Sequence, residues 1–569
     1  MTKDRAHLRD YLPALRWLKQ YQAPHFRADL LAALIVIAML VPQAMAYAML
    51  AGLPPVMGLY ASILPMICYA LLGNSPTLSI GPVAIISMMT FATLSPLFEV
   101  GSPVYIEAAT LLALMVGIIS LLLGLLRFGF LIQLISHPVI QSFIIASALL
   151  IALGQVKFLL NIPLKANNLI EFASTLWQYA RFSHIPSLLF GTLALFFLIY
   201  TPKLMKTYLP QLAQLQRALP LALVVTAIVS VALLNLQVHG IQTVGEIPSG
   251  FPEFALPHYN QALVMQLLPG AVMIAMISFI ESLSIAQATA LQKRQELNSN
   301  QELVALGIAN LSAGLSHAFP VTGSLSRTVV NADAGARTPM AGVLSSIFIL
   351  VVSLYFTRFF EHLPLCVLAA TIMVSIWKLV TLQPFIQTWR YSKLDGLAMW
   401  ITFIAVLCLD ISTGLMIGIA STFVLLLWRM SRPHIAVIGL VEGTQHFRNI
   451  ERHHVITSPH VLSMRIDENL NFLNAHQLKN ALIYQVSHNP KLAHVVLNCS
   501  SISAIDLSAL EILEELNQAL YALGIELHFS EVKGPVMDHL KRSHLLATLH
   551  GKVFLSHYQA MQELAPEQF

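Results

Sequence analysis

Two short stretches could seat an anion inside an otherwise oily chain. The first is Thr77-Leu-Ser-Ile-Gly-Pro-Val-Ala-Ile-Ile-Ser87, whose β-leaning start stops at Gly81 and whose Pro82 suits the first turn of a helix. The second is Phe319-Pro-Val-Thr-Gly-Ser-Leu-Ser-Arg-Thr328, again Pro and Gly ahead of a short helix. A helix that starts inside a membrane leaves N–H groups that lipid cannot satisfy. Two such starts facing one another combine unpaired donors with the positive ends of two helix dipoles, which suits an anion. Arg327 adds a fixed cation after the second break, and Glu281 lies deep in the apolar run 271–286. A charge at the bilayer centre costs about 3 kcal/mol or more, so both residues mark function by default. A buried Glu281–Arg327 ion pair that only ties helices together is the blander reading. Helical spacing puts Ser278, Glu281, Ser284 and Ala288 on one small, polar face. In the first apolar run, Val41-Pro-Gln-Ala-Met-Ala-Tyr-Ala48 sets Gln43 and Tyr47 one helical turn apart. Gln43 offers amide donors to an oxyanion, and Tyr47 a ring and a hydroxyl. A proline kink with an interhelical Gln43 hydrogen bond explains that stretch equally well. Asp29, Glu107, Asp333 and Asp410 fall near the ends of apolar runs, where water or headgroups reach them.

The composition says what must position these residues. Of 569 residues, 56% are hydrophobic and only 11% charged, with mean hydropathy +0.71. A soluble domain carries about 25% charged residues, and a chain this apolar would expose far too much oily surface in water. Disorder needs the opposite composition. A net charge of +4 gives nucleic-acid binding no support. Cys68, Cys366, Cys408 and Cys499 are too scattered for a disulfide framework or a metal site. No nucleophile elbow, phosphate loop or His-Glu-x-x-His pattern occurs, so neither an enzyme nor a cofactor is expected. The sequence is that of a membrane protein.

Apolar runs of span length suggest segments near 29–50, 54–72, 80–94, 104–126, 131–153, 184–201, 217–236, 264–291, 301–315, 323–332, 339–357, 363–380, 394–410 and 412–430. The third and tenth of these fourteen are too short to cross alone. They hold the two breaks and stand at matching places in two halves of seven, which points to an inverted repeat with a midplane site. Arg127, Lys203, Lys293 and Arg390 fall on the side of the N-terminus, against Lys157, Lys165, Arg181 and Arg358 on the other. That bias predicts cytoplasmic termini. Residues 1–28 read as a polar, basic cytoplasmic segment without a cleavable leader, 29–430 as the transmembrane domain, and 437–569 as a soluble domain rich in charge and histidine.

Pro55-Val-Met-Gly-Leu-Tyr-Ala-Ser-Ile-Leu-Pro65, Gly81-Pro-Val-Ala84, Thr322-Gly-Ser-Leu-Ser-Arg327 and the 41–48 stretch together resemble the sulfate permease (SulP) family of anion transporters. The resemblance runs along nearly the whole chain. It implies a polytopic α-helical protein whose seven-plus-seven inverted repeat is divided into core and gate domains. It places the anion between the third and tenth half-helices. Gln43 and Tyr47 match the first-span contacts, Val83 the third-span contact, and Ser326 with Arg327 the tenth-span contacts. Glu281 matches the acidic residue linked to proton coupling, and Arg327 stands against a sodium site. The tail resembles the α/β STAS domain, with strands at 461–466, 494–499 and 525–529 and a helix opened near Asp506. Where phosphorylated relatives carry serine after the aspartate, this chain has Leu507, with Ser508 next.

The expected function is secondary active transport of a small inorganic anion, sulfate favoured, in symport with a proton. The charge arithmetic supports it: a dianion beside Arg327 alone stays net negative, and protonating Glu281 removes a further repulsion. The bilayer, a second copy as homodimer and a cytoplasmic partner of the STAS domain complete the expected surroundings, in a cell inner (plasma) membrane. Bicarbonate or dicarboxylate transport, chloride exchange, an uncoupled anion channel and a signalling scaffold remain open alternatives.

Overall fold

The computed structural model describes residues 12–130, 136–164, 168–208, 219–252, 254–255, 257, 260–293, 297–377 and 380–569. Residues 1–11 of the expected N-terminal segment, Lys165, the Ala288 side chain and parts of the expected spans at 131–153, 217–236 and 363–380 lie outside that description. The chain parts into two compact units between Thr422 and Phe423.

The first unit is helical. Among the described residues, seven helical stretches are long and apolar enough to cross a membrane, including α1 (Ala23–Leu50), α3 (Pro103–Leu125) and the apolar part of α4 (Gln261–Lys293). Shorter apolar helices include α2 (Ala84–Leu94) and Met340–Tyr355. The helices start where local chemistry allows. Ser102 accepts from Tyr105 N at 3.2 Å just ahead of Pro103 in α3, and Asn298 caps α5 (Ser299–Leu315) by accepting from Asn300 N and Gln301 N. α1 runs unbroken through Pro42.

α3 and α5 touch backbone to backbone. A Cβ on Gly117 would lie 2.6 Å from Leu311 N, and one on Gly307 2.6 Å from Leu121 N. Small residues permit this approach, the usual way helices associate where lipid removes a hydrophobic drive between them. α5 is thereby fixed, and with it Asn310, which reaches the second chain break.

Both breaks are visible. Ile80–Gly81 (β1) and Thr322–Gly323 (β2) pair antiparallel, Ile80 with Gly323 and Gly81 with Thr322. Each strand leads directly into a short helix: β1 into α2, and β2 into α6 (Leu325–Asp333). This two-stranded ladder joins segments about 240 residues apart and satisfies backbone groups that would otherwise be orphaned in lipid.

The second unit is an α/β layer. Strands β3 (Ile435–Leu440), β4 (Phe447–Asn449), β5 (Val461–Ile466), β6 (His494–Asn498), β7 (Glu526–Ser530) and β8 (Val553–Phe554) form one sheet in the order β4-β3-β5-β6-β7-β8. From β5 to β8 neighbours run parallel, while β3 is antiparallel to both β4 and β5. Met464, Val495, Leu497 and Leu527 bury the sheet against helices that include α7 (Leu507–Ala522), through Leu513 and Leu516. The near-continuous apolar character of β6 fits a central parallel strand covered on both faces. Asp506 caps α7, accepting from Ala509 N at 2.8 Å, and its other oxygen accepts from Phe472 N at 2.8 Å.

Candidate functional site

The ladder sets the N-termini of α2 and α6 beside each other, and the two are capped differently. Ser324 caps α6 with its own hydroxyl, accepting from Arg327 N at 3.5 Å. At α2 the cap is Val83, which has no side-chain acceptor, so the first N–H groups of that helix receive none.

Polar groups of α5 and α4 hold β2 in place, and further bonds tie the two breaks together. Asn310 on α5 clamps Val321, donating to its carbonyl at 3.0 Å and accepting from its N–H at 2.8 Å. On α4, the Ser282 hydroxyl accepts from Gly323 N at 2.8 Å, and Thr322 donates to the Ser278 carbonyl at 2.8 Å. Ser324 N donates to the Ser79 carbonyl at 2.9 Å, while Ser79 N donates to the Thr328 hydroxyl at 3.1 Å.

Arg327 occupies the centre of this frame. Its side chain is wholly buried and donates from Nη1 to the Pro82 carbonyl at 2.8 Å, so it reaches from α6 to the start of α2. Nε and Nη2 are buried with no acceptor. A guanidinium carries five donors, and leaving most of them unmet in a low-dielectric interior costs several kcal/mol. Gly81 makes the room: its φ is +152°, and a Cβ there would lie 3.2 Å from Nη2.

Tyr47 and Glu281 lie within Coulombic range of that guanidinium. Glu281 Oε2 is buried without a hydrogen-bond partner. Among the described residues no ion pair joins Glu281 to Arg327, so the purely structural pair that the sequence allows is not formed. Gln43 on α1 is buried, and its Oε1 has no donor; the interhelical Gln43 bond is likewise not formed. Tyr47, one turn on, is also buried. Ser326 is exposed, and its hydroxyl lies 3.3 Å from that of Ser324. Gln43, Tyr47, Val83, Glu281, Ser326 and Arg327 thus stand on the helices and breaks that surround one buried guanidinium.

Two expectations need correction. Asp29 is not at a wet helix end. It is fully buried, accepting from Arg337 N at 2.7 Å, Thr338 N at 3.2 Å and the Thr338 hydroxyl at 2.5 Å, because those donors compensate its charge. On α4 Ser284 is exposed, and Ser282 supplies the polar contact instead, since β2 approaches on that side. The sequence reading also missed Asn310 and Glu302. Glu302 is fully buried and accepts from the Tyr69 hydroxyl at 2.8 Å and Asn74 N at 3.0 Å. The available signal was a polar side chain inside an apolar helix, which is costly unless bonded.

Residues 26–402 match the sulfate permease family, and residues 453–560 the STAS domain. The chain belongs to the sulfate permease family. Sulfate permeases are transporters rather than enzymes. This member is 36% identical over 547 residues to "Sulfate transporter 4.1, chloroplastic" of Arabidopsis thaliana, covering 93% of this chain and 79% of the relative. A probable sulfate transporter of Mycobacterium tuberculosis is 33% identical over 541 residues, covering 94% of each chain. The fold is that of the murine Slc26a9 anion transporter solved in the inward-facing state, with TM-score 0.88, 23% identity and coverage of 99% of this chain and 96% of that one. The transmembrane domain of the cyanobacterium bicarbonate transporter BicA superposes with TM-score 0.60 and 22% identity, over 70% of this chain and 98% of that one.

Proposed function

We propose that this sulfate permease is a proton-coupled sulfate symporter whose anion sits between the N-termini of α2 and α6. The observation that carries the reading is the Arg327 guanidinium, buried with Nε and Nη2 unmatched beside a helix start that has no side-chain cap. An oxyanion there would accept from the guanidinium and from the α2 N–H groups together, gaining charge-assisted hydrogen bonds of about 1.5–3 kcal/mol each. Gln43 supplies an amide that can turn its donors toward the same point, Tyr47 a hydroxyl, Val83 the backbone at the α2 start and Ser326 a hydroxyl at the α6 start. Glu281 carries the coupled proton: ionised, it would add repulsion to a dianion that Arg327 alone cannot neutralise. Sulfate is favoured over other oxyanions because full-length relatives bear that name.

The same proposal extends to fourteen membrane segments in two inverted halves, a core moving against a gate, both termini cytoplasmic in an inner membrane, and a homodimer. The test is radiolabelled sulfate uptake into proteoliposomes with and without an inward proton gradient, competed by bicarbonate, fumarate and chloride. Gradient-driven sulfate uptake supports substrate and coupling together. Uptake of bicarbonate or a dicarboxylate without sulfate would overturn the substrate.

A further inference from the structure

The second unit holds a cavity of about 310 Å³ whose chemistry the transport reading does not use. His434, Arg448, Arg452, His453, Arg465 and Asp467 line it. Three guanidiniums against one carboxylate leave an excess of two positive charges before either histidine is counted.

The charges are distributed unequally. Asp467 is already taken: Arg465 donates to it through both Nε and Nη2, and His434 Nδ1 lies 2.9 Å from its Oδ2. Burial pushes the Asp467 carboxyl up, but the hydrogen bonds and charges of Arg465 and His434 outweigh it and hold the group below the ordinary aspartate value, so it stays ionised. Arg448 and Arg452 have no such partner, since among the described residues neither guanidinium makes a hydrogen bond or ion pair. Surface arginines usually fan outward into water. Here the chain turns them to one cavity: Arg448 lies on β4, paired opposite Gly439 of β3. At the end of β4, Asn449 Oδ1 accepts from Glu451 N at 2.8 Å. The Asn449 carbonyl accepts from both Arg452 N and His453 N at 3.1 Å, fixing a tight turn. Like charges brought together without a counter-ion repel, and a bound dianion would relieve that repulsion.

We infer that this cavity is a binding site for a phosphate-class oxyanion, gripped by Arg448 and Arg452 and bounded by the Arg465–Asp467 pair. Planar guanidiniums suit the oxygens of such an anion, which they bind in bidentate fashion. Free inorganic phosphate and the phosphate of an anionic lipid headgroup present the same oxygens. The site stands apart from the Arg327 frame in sequence and in the unit that holds it, and does not depend on what the membrane unit carries.

The experiment measures binding of radiolabelled inorganic phosphate to the full chain in nanodiscs, comparing wild type with R448Q/R452Q and with Asp467→Asn. Any phosphate held by the membrane unit is common to all three and cancels in the comparison. The expected result is a class of phosphate bound by wild type whose affinity falls at least tenfold in R448Q/R452Q and rises severalfold in Asp467→Asn, where one negative charge is gone. The two arginines bond nothing else, so their loss should leave the melting temperature unchanged. Nanodiscs of phosphatidylcholine and of phosphatidylglycerol distinguish the sources. Suppression of phosphate binding by the anionic lipid alone assigns the cavity to headgroups, and equal binding in both assigns it to free oxyanions. Equal phosphate binding by wild type and R448Q/R452Q, or none by either, would overturn the inference.

Discussion

Buried charge is the chemistry of the membrane unit, and its ionisable residues solve the cost in different ways. Asp29 and Glu302 are fully compensated by neighbouring donors, which marks them as fasteners between helices. Arg327 is met only at Nη1 and Glu281 Oε2 not at all, which leaves Nε, Nη2 and that carboxylate oxygen free to interact with something that comes and goes. Glu281→Gln keeps the volume and removes the charge, so sulfate binding should persist while the pH dependence of uptake is lost. Uptake measured across a pH series in proteoliposomes checks this, and unchanged pH dependence would end the coupling role. Much of this was readable from sequence. Charge in an oily run is rare enough to single out Arg327 and Glu281 without a structure. The distinction between a fastener and a working charge was not readable, because it depends on donors such as Thr338 and Asn74 from remote parts of the chain.

At the scale of elements, proline and glycine ahead of short helices fixed both breaks, and β1, β2, α2 and α6 lie where the two motifs stand. The pairing of β1 with β2 was not legible, since two residues per strand give no alternation pattern to read. The close approach of α3 and α5 was not legible either, because the glycines of one helix do not say which helix they will meet. Gly307→Leu forces a side chain into the backbone of Leu121 and displaces the helix that carries Asn310 and Glu302. A loss of stability of about 1–3 kcal/mol is expected, from overpacking alone. It should appear as a lower melting temperature in detergent, with Gly534→Ala, where nothing lies within 4 Å and the backbone φ is not positive, as a control for glycine loss.

At the scale of the whole molecule, the second unit carries a response to acid of its own. In the second unit His557 is buried between Ser530 and Ser463 hydroxyls, and burial pushes its imidazole down to about 4 from the ordinary 6.5. His528 is pushed down to about 4 by burial and by the neighbouring His494 and Lys552, and its Nδ1 accepts from Lys552 N at 2.9 Å. Both side chains take up protons more readily when unfolded, so this unit gains stability as pH rises from about 4 to 6.5 and loses it as pH falls through that window. Hydrogen exchange of β6 and β7 in the full chain, followed from pH 7 downward, should show protection failing first below about 6.5. The α/β character of this unit and the strands at β5, β6 and β7 were legible from alternating elements. β4 and β8 were not, because edge strands of two or three residues carry too few apolar positions to stand out. Nor was β3, an inner apolar strand that lies just past the apolar run 412–430 and across the expected start of the soluble domain at 437.

The central claim is that the anion binds at Arg327. The most direct measurement is the concentration dependence of radiolabelled sulfate uptake by proteoliposomes of wild type and Arg327→Ala, reconstituted at equal protein and with melting temperatures compared. Loss of two or more charge-assisted hydrogen bonds at about 1.5–3 kcal/mol each should abolish uptake or raise its half-saturation at least a hundredfold in a protein that still folds. Uptake by Arg327→Ala with the half-saturation of wild type would place the anion elsewhere.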